Sequence, residues 1–329
     1  MRVLFAGSPI IAVPSFKVLD EMEQGGEGIV LAGLLTNPDR PRRHGQAEPT
    51  ELSVAASELD LLRCRKGFPP IPQLKPEKLN DEARQKVAAL VPDLLLSFAY
   101  GRFFGPRFLG LFPLGGINIH PSLLPKYRGA SPIPAVIMAR EKETGICIQK
   151  LAAELDCGDI LARESFGLSG RETTLSLTET MAGKAVPLLR SLLLDYKSSF
   201  SKARPQIGEA VLCREIKKEE GLIDWCKSAA EIDAQIRAFT PWPLSFTHRA
   251  NERLLILEAG PVERSAEAGT QNKAAPGTVL GMDKSRGILI QTGGGILAVS
   301  RLQWQSKKPL DWKAFLNGER DFVGTRLGG

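Results

Sequence analysis

Short apolar runs alternate with helix-like stretches through the first part of the chain, and this alternation limits the possible folds more than any other feature. Residues 2–6 and 29–36 are apolar runs that end in turn residues, and residues 14–22 between them have helical spacing. Strand–helix–strand units of this kind build parallel sheets with helices on both faces. The sequence therefore predicts an α/β fold with a doubly wound sheet.

The same alternation continues up to about residue 200. Predicted strands lie at 92–101, 115–120 and 145–151, and predicted helices at 51–62, 76–90, 106–111, 131–139, 173–182 and 187–194. The last of these helices is expected to start at Pro187, because proline suits the first turn of a helix.

The pattern changes after residue 200. Residues 201–216 have little hydrophobic periodicity and carry several bases, which is typical of a linker. Beyond them a helical stretch is followed by several short β runs with glycine-rich turns, which predict a small OB-like β-barrel. The predicted domains are 1–200 and 217–329, joined by the linker 201–216.

Composition limits the class of protein. The 329 residues exceed what one hydrophobic core usually serves, and 43% hydrophobic with 24% charged residues is typical of a globular chain. A net charge of +6 permits an anionic partner without requiring one. The five cysteines form no C-x-x-C pair and the three histidines are scattered, so neither a disulfide framework nor a metal site is predicted. No apolar run is long enough to span a bilayer, and we expect a cytoplasmic protein with no membrane partner.

Two nucleotide-binding motifs are missing from the sequence. The first predicted strand ends at Gly7 without a G-x-G-x-x-G fingerprint, and G-x-x-x-x-G-K-[ST] does not occur. These absences argue against an NAD enzyme and a P-loop nucleotidase.

Asn118 and His120 form the first candidate site. They lie two apart in a short predicted strand that Pro121 ends, so both leave the same face at its carboxyl end. Ligands bind at such strand ends in open α/β sheets, where an imidazole can move a proton and an amide can hydrogen-bond an oxyanion. Spacing alone leaves a second interpretation open. In it, His120 is a strand-end histidine whose hydrogen bonds are satisfied, and Asn118 is a turn residue.

Asp156 and Asp159 flank Gly158 in a tight polar loop and form the second candidate site. One interpretation is an ordinary turn, because aspartate and glycine are common turn residues. The other is that a carboxylate pairs with His120, orients the ring and raises its pKa.

Several ordered motifs resemble the 10-formyltetrahydrofolate-dependent formyltransferases. They include Asn118-x-His120-Pro121-Ser122-Leu123-Leu124-Pro125 and Leu155-Asp156-x-Gly158-Asp159-Ile160. Further matches are Phe5–Pro9, Asn37–Pro41, Phe98–Gly101, Arg128–Ala130, Ile223–Trp225 and Arg237–Pro243. The resemblance covers nearly the whole chain and implies a Rossmann-like formyltransferase domain followed by the small barrel. The motifs after residue 220 are most similar to those of family members that formylate initiator methionyl-tRNA.

The resemblance also implies roles for individual residues. Asn118, His120 and Asp156 would be catalytic. The folate co-substrate, 10-formyltetrahydrofolate, would contact Phe98, Ala99, Tyr100, Gly101, Ser122, Leu123, Leu124, Pro125 and Asp159. The tRNA would contact basic residues of the loop after residue 39, of the motif's continuation and of the C-terminal region, namely Arg40, Arg42, Arg43, Lys126, Arg128, Lys307 and Lys308. No metal is implied, and a monomer is expected.

Formyl transfer to an amine fits these residues chemically, because it develops an oxyanion and releases a proton. Asn118 and a protonated His120 would stabilise the oxyanion, and Asp156 would hold the imidazolium. Three alternatives stay open: a formyltransferase for an amino-sugar nucleotide, one for a purine-precursor amine, and an RNA-binding barrel beside an inactive α/β domain. The purine enzyme is normally a single domain, and the intact candidate trio argues against an inactive domain.

Overall fold

The computed structural model describes residues 1–41, 47–262, 274–319 and 321–328. The chain divides into two compact units. The first consists of Met1–Pro132, Glu143–Gly167 and Thr178–Cys213, and the second consists of Ile133–Lys142, Leu168–Leu177 and Arg214–Gly329. Within the described residues, no helix is both long and apolar enough to cross a bilayer.

The strands of the first unit are β1 (Arg2–Gly7), β2 (Val30–Leu35), β3 (Arg40–Pro41), β4 (Ala47–Glu48), β5 (Gln73–Leu74), β6 (Leu94–Phe98), β7 (Gly116–His120), β8 (Arg128–Gly129), β9 (Glu143–Lys150), β10 (Ile160–Gly167) and β11 (Leu212–Cys213). In the described part of the chain, seven of them form one sheet in the order β10-β9-β7-β6-β1-β2-β5. Strands β7, β6, β1, β2 and β5 are parallel, and β9 and β10 add an antiparallel edge. The predicted α/β class is confirmed.

The helices up to residue 213 are α1 (Val13–Gln24), α2 (Glu51–Arg65), α3 (Asp81–Ala88), α4 (Pro106–Leu109), α5 (Pro132–Met138), α6 (Thr174–Leu194) and α7 (Tyr196–Ser201). Side-chain caps fix two of the starts. Thr50 accepts from the Ser53 amide at 3.2 Å, and Asn80 accepts from the Ala83 amide at 3.1 Å. The third helix therefore begins after its Asn80 cap, later than the sequence predicts.

Helix α6 corrects the expectation of two helices separated before Pro187. The structure has one continuous helix with Pro187 inside it. Met181, Ala185, Leu189 and Leu192 are all buried at helical spacing on both sides of the proline. Burial of this uninterrupted stripe outweighs the hydrogen bond that proline removes.

The centre of the sheet is apolar on both faces. Residues 3–6 of β1 are fully buried, as expected for a parallel strand between two helical layers. Tyr100, Phe104, Phe108 and Phe112 form a run of neighbouring rings with centroids 5.3 to 5.7 Å apart. The run begins just after the carboxyl end of β6.

The segment 202–213, which we call the connecting segment, is paired to the first unit. Arg204 and Ile160 exchange backbone hydrogen bonds of 3.0 and 2.7 Å, and β11 pairs in parallel with β8. The sequence pattern predicts a linker here, because hydrophobic periodicity carries no information about backbone pairing with a distant edge.

The second unit contains β12 (Ser245–Arg249), β13 (Glu252–Pro261), β14 (Val279–Asp283), β15 (Gly287–Gln291), β16 (Ile296–Trp304), β17 (Leu310–Asp311), α8 (Ala229–Ala238) and α9 (Trp312–Gly318). Its strands pair antiparallel in the order β12-β13-β16-β15-β14, and β17 pairs with β16. Ser228 and Glu231 form a capping box that starts α8. The predicted series of short β-strands after the linker is confirmed.

Candidate active site

The structure brings Asn118, His120 and Asp156 together at the carboxyl end of β7. Asn118 and His120 lie on β7, opposite Gln149 and Cys147 of the antiparallel neighbour β9. Asp156 lies in the loop that joins β9 to β10. The sheet therefore supplies two of the side chains, and a loop supplies the third.

The three side chains form a compact polar cluster. Asp156 Oδ2 lies 3.6 Å from His120 Nδ1, and Asn118 Nδ2 lies 3.4 Å from Asp156 Oδ1. The His120 and Asp156 side chains are only 4% and 8% exposed. Charge interactions in such a sheltered place are much less screened than on the surface.

The Asp156 carboxylate has two closer donors. The Gly129 amide donates to Oδ2 at 2.9 Å, and Gln149 Nε2 donates to Oδ1 at 2.8 Å. Asp156 also has a φ of 53°, in the left-handed region that non-glycine residues rarely adopt. Strained backbone that is held by several hydrogen bonds is typical of functional sites.

The tautomer of His120 follows from its partner. Nε2 lies 2.8 Å from the Tyr127 carbonyl oxygen, and a carbonyl can only accept. Nε2 must therefore carry a proton, so the neutral ring presents the lone pair of Nδ1 to the side of Asp156.

Burial lowers the pKa of His120 below its ordinary value, while the Asp156 carboxylate and the Tyr127 carbonyl offset part of this effect. Asp156 therefore raises the pKa of His120 as the sequence predicts, although the net shift is downward. The pairing with Asp156 is present, but burial of the ring lowers its pKa by more than the carboxylate raises it.

The segment predicted to border the folate pocket presents mainly backbone. Phe98 and Tyr100 are buried in the core, and burial raises the pKa of Tyr100 to about 12. Ala99 and Gly101 are exposed at the end of β6 and have positive φ angles of 53° and 77°. A ligand at this edge would meet peptide groups rather than the two aromatic rings.

The other predicted folate contacts lie beside β7 and in the Asp156 loop. Ser122 is fully buried, and its hydroxyl donates to the Lys126 carbonyl at 2.6 Å. Leu124 and Pro125 are buried, whereas Leu123 is half-buried. Asp159 lies 3.5 Å from the Lys150 ammonium and is 44% exposed. Ser122 thus fixes the turn after β7, and Leu123 and Asp159 remain accessible.

The basic residues predicted for tRNA are distributed over both units. Arg40 and Lys126 of the first unit are exposed, as are Lys307 and Lys308 of the second. Arg42 and Arg43 lie outside the described residues. Arg128 instead binds Gln206 Oε1 through Nε at 3.0 Å and Nη2 at 2.6 Å.

Sequence reasoning missed Gln149, Gln206 and the Gly129 amide. Gln149 has one available signal, since it lies in the predicted strand 145–151. Gln206 has no such signal in the sequence, because it lies in the predicted linker, 50 residues from Asp156. Within the ranges that the structure describes, no cluster of three metal-ligating side chains occurs.

A doubly wound sheet with a polar cluster at its carboxyl edge is typical of α/β enzymes, which bind ligands at such strand ends. The model of the formyl transferase family matches residues 1–191, and that of the formyl transferase C-terminal domain matches residues 215–320. The chain therefore belongs to the formyl transferase family, whose members are enzymes.

Two relatives and one solved structure illustrate the similarity. The methionyl-tRNA formyltransferase of Treponema denticola is 49% identical over 327 residues, which cover 98% of each chain. That of Treponema pallidum is 41% identical over 330 residues and covers 100% of this chain and 99% of its own. WlaRD, a sugar 3N-formyl transferase solved in the presence of dTDP and 5-N-formyl-THF, gives a TM-score of 0.62 at 16% identity. The alignment covers 94% of this chain and 99% of WlaRD. This last likeness concerns the fold alone.

Proposed function

We propose that this enzyme transfers a formyl group from 10-formyltetrahydrofolate to the amino group of initiator methionyl-tRNA, giving N-formylmethionyl-tRNA for translation initiation. The proposal rests mainly on the Asn118–His120–Asp156 cluster. The near full-length similarity to methionyl-tRNA formyltransferases supports the choice of substrate.

The folate co-substrate would supply an activated formyl carbon. The residues fit such a molecule, because Ala99 and Gly101 expose peptide groups beside the catalytic edge. A pterin-like ring carries alternating donors and acceptors, which exposed backbone can match. The half-buried Leu123 and the accessible Asp159 would border the same pocket.

The three side chains would divide the work of acyl transfer. Asn118 Nδ2 donates a hydrogen bond to the oxyanion that develops when the amine attacks the formyl carbon. His120 accepts a proton from the amine at Nδ1, because Nε2 is already protonated and bonded to the Tyr127 carbonyl. Asp156 stabilises the resulting imidazolium from 3.6 Å. The proton then passes to the leaving nitrogen as the old carbon–nitrogen bond breaks.

The two predicted domains would serve different parts of the substrate. Residues 1–200 would bind folate and carry out the chemistry, and residues 217–329 would bind tRNA. Arg40, Arg42, Arg43 and Lys126 would contact phosphates near the first domain, and Lys307 and Lys308 would do so from the second. The enzyme would act as a cytoplasmic monomer.

A formylation assay with two amine substrates tests the proposal. The purified chain is incubated with 10-formyltetrahydrofolate and either initiator methionyl-tRNA or a dTDP-amino sugar. We expect formyl product only with the tRNA, and Asp156→Asn should reduce turnover by about 10²-fold or more. Asp195→Asn is the matched control, because Asp195 is exposed and caps nothing through its side chain. Product from the sugar alone would refute the assigned substrate.

A further inference from the structure

The side chain of Gln206, in the connecting segment, contacts the loop between β9 and β10 that carries Asp156. We call this loop the catalytic loop. Gln206 Nε2 donates to the backbone oxygens of Asp156 and Gly158, both at 2.8 Å, and to Gln149 Oε1 at 3.1 Å. Its Oε1 accepts from Arg128 Nε and Nη2 at 3.0 and 2.6 Å. Both ends of the amide are fully used, since its two N–H protons serve three acceptors and its oxygen accepts twice.

Chemistry fixes the direction of each bond in this network. A guanidinium only donates, so Gln206 Oε1 must face Arg128. Backbone carbonyls only accept, so Gln206 Nε2 must face the catalytic loop. Gln149 Oε1 then accepts from Gln206, which leaves Gln149 Nε2 to donate to the Asp156 carboxylate at 2.8 Å. Hydrogen bonds therefore run in one direction, from Arg128 through Gln206 and Gln149 to Asp156.

These hydrogen bonds hold the part of the site whose backbone is strained, around Asp156 and Gly158. Asp156 has a φ of 53°, and Gly158 lies so close to the Lys150 carbonyl that no Cβ fits there. Such a backbone conformation persists only where its surroundings over-determine it. Gln206 contributes two hydrogen bonds to that backbone and orients the donor that faces the carboxylate.

We propose that Gln206 is a positioning residue for Asp156, acting through Gln149 and through the loop backbone. The proposal rests on the proposed function only in using formyl transfer as its readout. It assigns to the segment between the two family-model matches a part in catalysis, besides that of joining domains.

Gln206→Met tests the proposal, because methionine keeps the length of the side chain and removes every hydrogen bond. We expect kcat on methionyl-tRNA to fall about 10- to 100-fold, since a misplacement of about 1 Å can cost that much. The KM for 10-formyltetrahydrofolate should change less than about threefold, because protein groups already use both ends of the Gln206 amide. Ile207→Met is the matched control, since Ile207 is the adjacent residue and is 86% exposed.

The pH profile separates positioning from a merely structural role. In the described part of the structure, the charged group that acts on the His120 ring is the Asp156 carboxylate. The Cys147 and Cys213 thiols stay neutral because burial raises the pKa of each. When Asp156 is displaced, its carboxylate no longer raises the pKa of His120. The acidic limb of the kcat–pH profile should therefore move to lower pH. Asp156→Asn should move the limb in the same direction, and combining it with Gln206→Met should add less than about a twofold loss.

Other outcomes are equally decisive. If Gln206→Met lowers thermal stability but leaves kcat and the acidic limb unchanged, or if its loss of kcat fully multiplies that of Asp156→Asn, the residue is structural. If Gln206→Met does not fold, Gln149→Met replaces it, because this buried side chain carries the last donor to Asp156. An unshifted limb in that variant refutes the relay. A wild-type chain inactive on methionyl-tRNA would instead refute the proposed function.

Discussion

Gly158 offers the sharpest test of how closely the geometry of the catalytic loop controls activity. A Cβ built on Gly158 lies far inside contact distance of the Lys150 carbonyl oxygen, and real Cβ atoms stay at least 3.0 Å from such an atom. Both partners are backbone, so neither can rotate away. Gly158→Ala therefore requires the loop to move by about 1 Å.

The cost follows from the bonds on either side of Gly158. The shift breaks or stretches the Gln206 bond to the Gly158 oxygen and the bond from the Lys150 amide to the Asp159 oxygen, 2.8 and 2.9 Å long. At about 1 kcal/mol each, the free energy of unfolding should fall by about 2 kcal/mol. Asp156 moves with the loop and leaves the 3.6 Å pairing with His120, so kcat should fall about 10²-fold.

Gly183→Ala is the matched control for the same chemical change. Gly183 is exposed in helix α6, and a Cβ there meets nothing within 4 Å. Alanine should raise the free energy of unfolding by about 0.5–1 kcal/mol and leave kcat unchanged. Denaturant unfolding and single-turnover formylation measure the two quantities. A Gly158→Ala enzyme with wild-type turnover would mean that the position of Asp156 does not limit the reaction.

Three further predictions address the ring, the fold and the tRNA. Asp156→Asn should move the acidic limb of the kcat–pH profile to lower pH, because the carboxylate raises the pKa of His120 against the larger effect of burial; an unmoved limb would separate Asp156 from the titrating ring. Arg63 is 2% exposed and pairs with Asp20 and, at 2.9 Å, with Glu23. Arg63→Met should therefore lower the free energy of unfolding by about 3–5 kcal/mol in denaturant titrations while the folded enzyme keeps its kcat. Replacing Lys307 and Lys308 by alanine should weaken tRNA binding and flatten the log–log salt dependence by about 1–2 units, and an unchanged slope would place both lysines outside the interface.

The sequence predicts the sheet well because strands that are buried on both faces appear in it as nearly continuous apolar runs. A short apolar run that turn residues follow, such as Leu94–Phe98, favours an interior strand, and alternation along β7 places Asn118 and His120 on one face. The continuity of helix α6 through Pro187 is not predictable in this way. Local propensity favours a break, and only tertiary burial of the stripe decides otherwise.

The arrangement around Asp156 depends on information that a linear pattern lacks. The relay from Arg128 joins side chains 78 and 57 residues from Gln206 in sequence, and it appears only once β8, β9 and the connecting segment are packed. The pKa of His120 also depends on the depth of burial, which reverses the direction that its carboxylate neighbour alone would give. Residue types and spacing predict which groups meet, whereas their protonation follows from the surrounding packing.

The hydrogen bond between His120 Nε2 and the Tyr127 carbonyl leaves the ring only one nitrogen, Nδ1, for proton transfer. Many histidines can take a proton on one nitrogen and release it from the other, which conducts charge across the ring. Here the Tyr127 carbonyl holds one nitrogen permanently protonated, and it also accepts from Cys213 Sγ at 3.3 Å. A proton that arrives at Nδ1 must therefore depart from Nδ1. The incoming amine and the departing nitrogen must both come within reach of that one atom, in turn, from the same side of the imidazole.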